Sequence, residues 1–141
     1  MEAVYYYDKA TSSCPVKLYL EQYRIKNSDT EKAKQKKLHL LASIAQKIEY
    51  IAQKNGLPIP PIAAPLHGYS FFEIKTRKDK NILIRIHYFR SSDKIVLLNA
   101  FEKSDSYSTE KERRAINHEQ EMTQRYQRLF INDSTLYEKY Q

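Results

Sequence analysis

The chain has 141 residues, 41% of them hydrophobic, and 24 Lys and Arg against 17 Asp and Glu give a formal charge of +7. That length suits one domain with one modest core over about residues 4–130, and the basic excess favours an anionic partner: RNA, DNA, an acidic protein or a membrane surface. Cys14 is the only cysteine, which excludes an intramolecular disulfide framework and a cysteine zinc site, and two glycines, Gly56 and Gly68, exclude a glycine-rich phosphate loop.

No cofactor or metal is therefore expected. The N-terminal Met-Glu-Ala-Val-Tyr-Tyr-Tyr-Asp lacks a basic leader and a long apolar stretch, and no segment approaches the roughly 18 apolar residues of a membrane span. A soluble, cytoplasmic protein with no membrane partner is expected.

Val4 to Tyr7 reads as a first strand, aromatic and bounded by Asp8. Pro15 suits a first helical position, and Val16, Leu18, Tyr19, Leu20 and Tyr23 mark a short helix ending near Ile25. Ser28-Asp29-Thr30-Glu31 has capping-box spacing. The long helix it opens carries Leu38, Leu41, Ile44, Ala45, Ile48, Ile51 and Ala52 on a core stripe, leaves Lys32 to Lys37 in solvent, and ends at Asn55-Gly56. Four prolines between Gly56 and Gly68 predict an extended connection.

Three strands in series follow, Phe71–Arg77, Asn81–Arg90 and Lys94–Phe101, joined by connections short enough for antiparallel hairpins. Thr109-Glu110-Lys111-Glu112 is a second capping box, opening a helix toward Phe130, and residues 131–141 are expected to fray. The fold class expected is α+β: a small antiparallel twisted sheet with an N-terminal strand, two N-terminal helices on one face, and a C-terminal helix.

Period-two alternation places Glu73, Lys75 and Arg77 on one face of the first hairpin strand and Leu83, Arg85, His87 and Phe89 on the same face of the second. In the third strand Val96, Leu98 and Ala100 are expected to face the core, with Ile95, Leu97, Asn99, Phe101 and Lys103 opposite. Arg85 stands within Ile82-Leu83-Ile84-Arg85-Ile86, where a charge needs a partner. That partner is either Glu73 across the hairpin or a phosphate, which the planar guanidinium fork fits bidentately, and both can hold at once. His87 reads either as a satisfied sheet histidine or as a proton-transfer group, and Tyr107 as a surface tyrosine, a stacking group or a proton shuttle.

Leu66-His67-Gly68, Phe72-Glu73-Ile74-Lys75, Ile84-Arg85-Ile86-His87-Tyr88-Phe89 and Ile95 to Lys103, in that order and spacing, resemble the phage-derived HigB-like branch of the RelE/ParE toxin superfamily. The likeness covers about residues 4 to 125. It implies the RelE-like microbial RNase fold and a toxin of a type II toxin–antitoxin system. In such a toxin a ribosome-dependent, metal-independent mRNA endonuclease drives a ribose 2′-OH onto the neighbouring phosphate.

The implied partners are a cognate HigA-like helix-turn-helix antitoxin, the ribosome with bound mRNA, and operator DNA only through the antitoxin. Carried over by position, Arg85 matches the strand arginine at the scissile phosphate, Lys75 the basic position after Glu-(Leu/Ile), and Lys103 the first lysine of Phe-x-Lys-Lys. His87 and Tyr107 are the candidates for proton transfer, and Arg77, Lys78 and Lys80, cations at the turn after the first hairpin strand, are the expected RNA contacts. Ser104 replaces the usual second lysine, Asp105 a threonine and Thr109 a proline. Those departures keep two alternatives in view: a non-catalytic ParE-like inhibitor of DNA gyrase, and an inactive antitoxin-binding co-repressor.

Overall fold

Three strands in series form the middle of the sheet because each alternates large apolar side chains with a second set, and in β4 and β5 that second set is itself mostly buried. They are β3 (Phe72–Arg77), β4 (Ile82–Ser91) and β5 (Lys94–Ser104), following β1 (Glu2–Tyr6) and β2 (Ala63–Pro65) in the chain. A computed structural model describes residues 1–104 and 109–140. Its six-stranded sheet has the order β2-β3-β4-β5-β1-β6, with β6 at Tyr137–Lys139. All pairings are antiparallel except β1 with β5, which is parallel. The protein is α+β, as the order of elements predicts.

Helix α1 (Pro15–Leu20), a following 3-10 turn (Glu21–Tyr23) and helix α2 (Glu31–Gln53) cover one face. There Ile44, Ile48 and Ile51 of α2 pack on Ile74, Ile84, Ile86, Ile95 and Leu97. Burying each such side chain contributes about 1.5–3 kcal/mol. Tyr19 and Tyr23 both donate to Glu102 Oε2, at 3.1 and 3.2 Å, and tie the first helical segment to β5. The cap of α2 is Thr30, whose hydroxyl accepts from the Ala33 amide at 3.1 Å, rather than the expected Ser28. Asp29 accepts from the Lys26 amide and pairs with Lys37, so Ser28 is left in the turn before the helix.

Helix α3 (Glu110–Asn132) covers the opposite face with Phe130 against Val4, Tyr6, Phe71, Phe89, Val96 and Leu98. It opens on the predicted capping box, with Thr109 and Glu112 each bonded to the other's backbone amide. Residues 131–140 of the segment expected to fray instead fold. After α3 the chain turns at Asp133–Leu136 and β6 pairs with β1, Val4 opposite Lys139.

A register shift between His87 and Tyr88 corrects the expected alternation in β5. His87 pairs with Asn99 but Tyr88 with Leu97, so one extra β5 residue is inserted. Val96, Leu98, Asn99 and Phe101 therefore face α3, while Ala100 joins Ile95 and Leu97 under α2. The bulge lets β5 present an apolar end and a polar end to the same helix.

Among the described residues no helix is long and apolar enough to cross a membrane.

Candidate nucleic-acid site at the open end of the sheet

Direct cross-strand partners share a face, so the α3 side of the sheet carries Glu73 opposite His87, Lys75 opposite Arg85, and Lys103 opposite Leu83. Phe101 stands opposite Arg85 on the other flank. Helix α3 covers only part of this face. Where it lies over the sheet the polar groups are sealed; beyond its first turn they reach solvent.

The sealed part is a connected polar network. Glu73, Arg85 and His87 are 3, 4 and 0% exposed. Arg85 Nη1 donates to Glu73 Oε1 at 3.1 Å, and His87 Nε2 meets Glu73 Oε2 at 2.9 Å. His87 Nδ1 lies 2.7 Å from Thr123 Oγ1 of α3. The Thr123 hydroxyl donates its single proton to the Glu119 carbonyl at 3.0 Å and accepts from Asn99 Nδ2 at 3.2 Å. Both ring nitrogens of His87 are therefore engaged, Nε2 with Glu73 and Nδ1 with Thr123. Burial pushes the Glu73 carboxyl up, but the hydrogen bond and charge of His87, with Arg85 and Lys75, outweigh it and hold that carboxyl below the usual range.

This geometry corrects the assignment of His87 as a group that exchanges protons with substrate. A ring with no exposed surface, engaged at both nitrogens and wedged between Phe71 and Phe101, braces α3 against the sheet. Arg85 keeps its predicted partner Glu73 and also donates to the Ser104 carbonyl at 3.4 Å, directly beside the open end.

The open part is cationic. Lys75 and Arg77 are exposed and Lys103 is half-buried. Lys75 Nζ stays 3.9 Å from Glu73 Oε1, so one carboxylate is shared by Arg85, His87 and Lys75. Glu112, in the first turn of α3, takes hydrogen bonds from Thr109 and Ser104, which together with Lys103 hold its carboxyl below the usual range.

The β3–β4 turn splits the three predicted RNA contacts. Arg77, bonded to the Lys80 carbonyl at 2.9 Å, and Lys80 are both exposed at the rim. Lys78 is on the other side: its ammonium sits 2.8 Å from Glu102 and over the Tyr23 ring, which removes it from the site. Tyr107, together with Asp105, lies outside the described residues.

Sequence reading missed Thr123, Asn99 and Glu119 as the braces of this face. Their signal lies in α3, where Ile116, Thr123, Gln127 and Phe130 are the buried positions, so a polar pair occupies the middle of the inward stripe. Among the described residues no group of three or more His, Cys, Asp or Glu side chains gathers as a metal site. Comparison with family models, with curated proteins and with solved structures finds no match for this chain.

Proposed function

We propose that this protein is a toxin of a type II toxin–antitoxin system that cuts mRNA on the ribosome. The observation that carries the reading is the placement of Lys75 directly opposite Arg85, with Lys103 two positions along the same face. Like charges directly across a sheet destabilise it. With Glu73 shared by Arg85, His87 and Lys75, and Glu112 beside Lys103, the cations Lys75, Arg77, Lys80, Arg85 and Lys103 still outnumber the carboxylates at the open end, and a phosphate group is the ligand that such a cluster stabilises.

In the proposed reaction the ribose 2′-oxygen attacks the adjacent phosphorus, the bond to the 5′-oxygen breaks, and a 2′,3′-cyclic phosphate and a 5′-hydroxyl result. Lys75 and Lys103 neutralise the charge that builds on the non-bridging oxygens, and Arg85, fixed by Glu73, adds its field from below. Tyr107, which follows Lys103 across a short polar stretch of sequence, is the candidate for proton transfer. A helix-turn-helix antitoxin is the proposed partner that silences the site and carries the toxin to operator DNA.

The burial of Arg85 and His87 favours a second reading, a binding protein without catalysis that poisons gyrase or serves as a co-repressor. Induced expression separates the two. The nuclease reading expects cut messages in arrested cells, and gyrase poisoning expects DNA breaks with messages intact.

A further inference from the structure

One flank of α2 carries cations without a single carboxylate. At 100° per residue Lys32, Lys36, Lys47 and Lys54 fall within one narrow sector, joined by His39 and by Tyr50, which is 37% exposed. Both acidic residues of α2, Glu31 and Glu49, lie on the outward back, each accepting from a glutamine four residues on. The opposite flank is apolar and lines a groove with Leu38, Leu41 and Ala45.

The basic flank continues into the candidate site. Strand β2 pairs with β3 only as far as Ile74, and just past that point Lys47 Nζ donates to the Lys75 carbonyl at 2.8 Å. Lys47 thus closes the edge of β3 at the residue whose side chain stands in the cationic cluster. Burial holds its ammonium below the usual lysine range, a cost that a neighbouring phosphate would relieve.

We propose that this flank of α2 and the adjoining edge of β3 form a track for single-stranded RNA leading to Lys75 and Arg77. Lysines spaced along about 33 Å of helix suit a polyanion rather than a small anion. Tyr50, with Lys54 Nζ 5.5 Å from its ring centroid, supplies an aromatic face on which a base can stack. The choice of RNA over DNA rests on the nuclease reading above.

The test is fluorescence anisotropy of the full chain on a short labelled single-stranded RNA across a salt series. Lys32→Gln with Lys36→Gln should weaken binding about tenfold and make the salt slope shallower by about 1.4, near 0.7 per lost phosphate contact. The charge-matched pair Lys9→Gln with Lys139→Gln, at the β6 side of the molecule, should change affinity less than about twofold by the same rule. An unchanged slope in the α2 pair, an equal loss in both pairs, or tighter binding of duplex DNA of the same length would overturn the track. RNA binding that follows the track in a protein that neither arrests growth nor cuts messages would leave the track standing and remove the nuclease. Message cutting with an unchanged α2 slope would do the reverse.

Discussion

Glu73 and Arg85 meet at 3.1 Å on neighbouring strands, two residues off direct register, because the position opposite Glu73 is taken by His87. The carboxylate therefore bonds a guanidinium through one oxygen and an imidazole through the other. All three groups are sealed beneath α3, so this contact links the stability of the fold to the charge of the site. Glu73→Gln should cost about 3–5 kcal/mol, the penalty of leaving a buried charge without its partner, measured by urea unfolding. Arg85→Ala should cost a similar amount, so its loss of activity would not by itself assign a contact with substrate.

Acid should expose the same link. The Glu73 carboxyl is depressed in the folded state, so its stabilisation is present above the ordinary glutamate value of 4.5 and is lost as pH falls through the lower folded value. Below about 4.5 the unfolding free energy of the wild type should fall more steeply with pH than that of Glu73→Gln. Parallel profiles would mean that Glu73 is not held ionised by its neighbours.

Thr123→Val removes the hydroxyl that bonds His87 Nδ1 and Asn99 while keeping the shape. It should destabilise by about 1–3 kcal/mol, and Thr123→Ser should recover most of that. Equal stability of the valine variant and the wild type would show that His87 is not braced from α3.

The α3 cap is a local test that leaves the network intact. Thr109→Ala loses the hydroxyl that accepts from the Glu112 amide at 3.1 Å and should cost about 1 kcal/mol.

The three central strands and their hairpins, the α3 cap and the Glu73–Arg85 pair were legible in the sequence because each depends on neighbours or on period-two alternation. What was not legible depends on contacts far along the chain. The β5 bulge reverses Ala100 relative to Val96 without a glycine or any local mark, and only the competition between the α2 and α3 cores fixes its place. The tail has few apolar residues, yet Tyr137 and Leu136 find a cluster prepared by β1 and α3, and β6 follows. His87 reads the same as catalyst or brace until Thr123, 36 residues on, is placed beside it.

Lys75 and Lys103 are the variants that separate site from scaffold, since Lys75 is exposed and Lys103 half-buried. Lys75→Ala and Lys103→Ala should each lower growth inhibition by at least about tenfold, the loss expected when one transition-state charge contact is removed. Thermal midpoints should move by no more than a few degrees, as for surface substitutions. Full toxicity in both would move the site away from the open end of the sheet.

Mapping RNA 5′ ends after brief induction of the wild type and of Lys103→Ala is the most direct measurement. New 5′-hydroxyl ends within translated messages, present for the wild type and lost in the variant, are the predicted result. Arrested growth with intact messages, or the same ends in both, would contradict it.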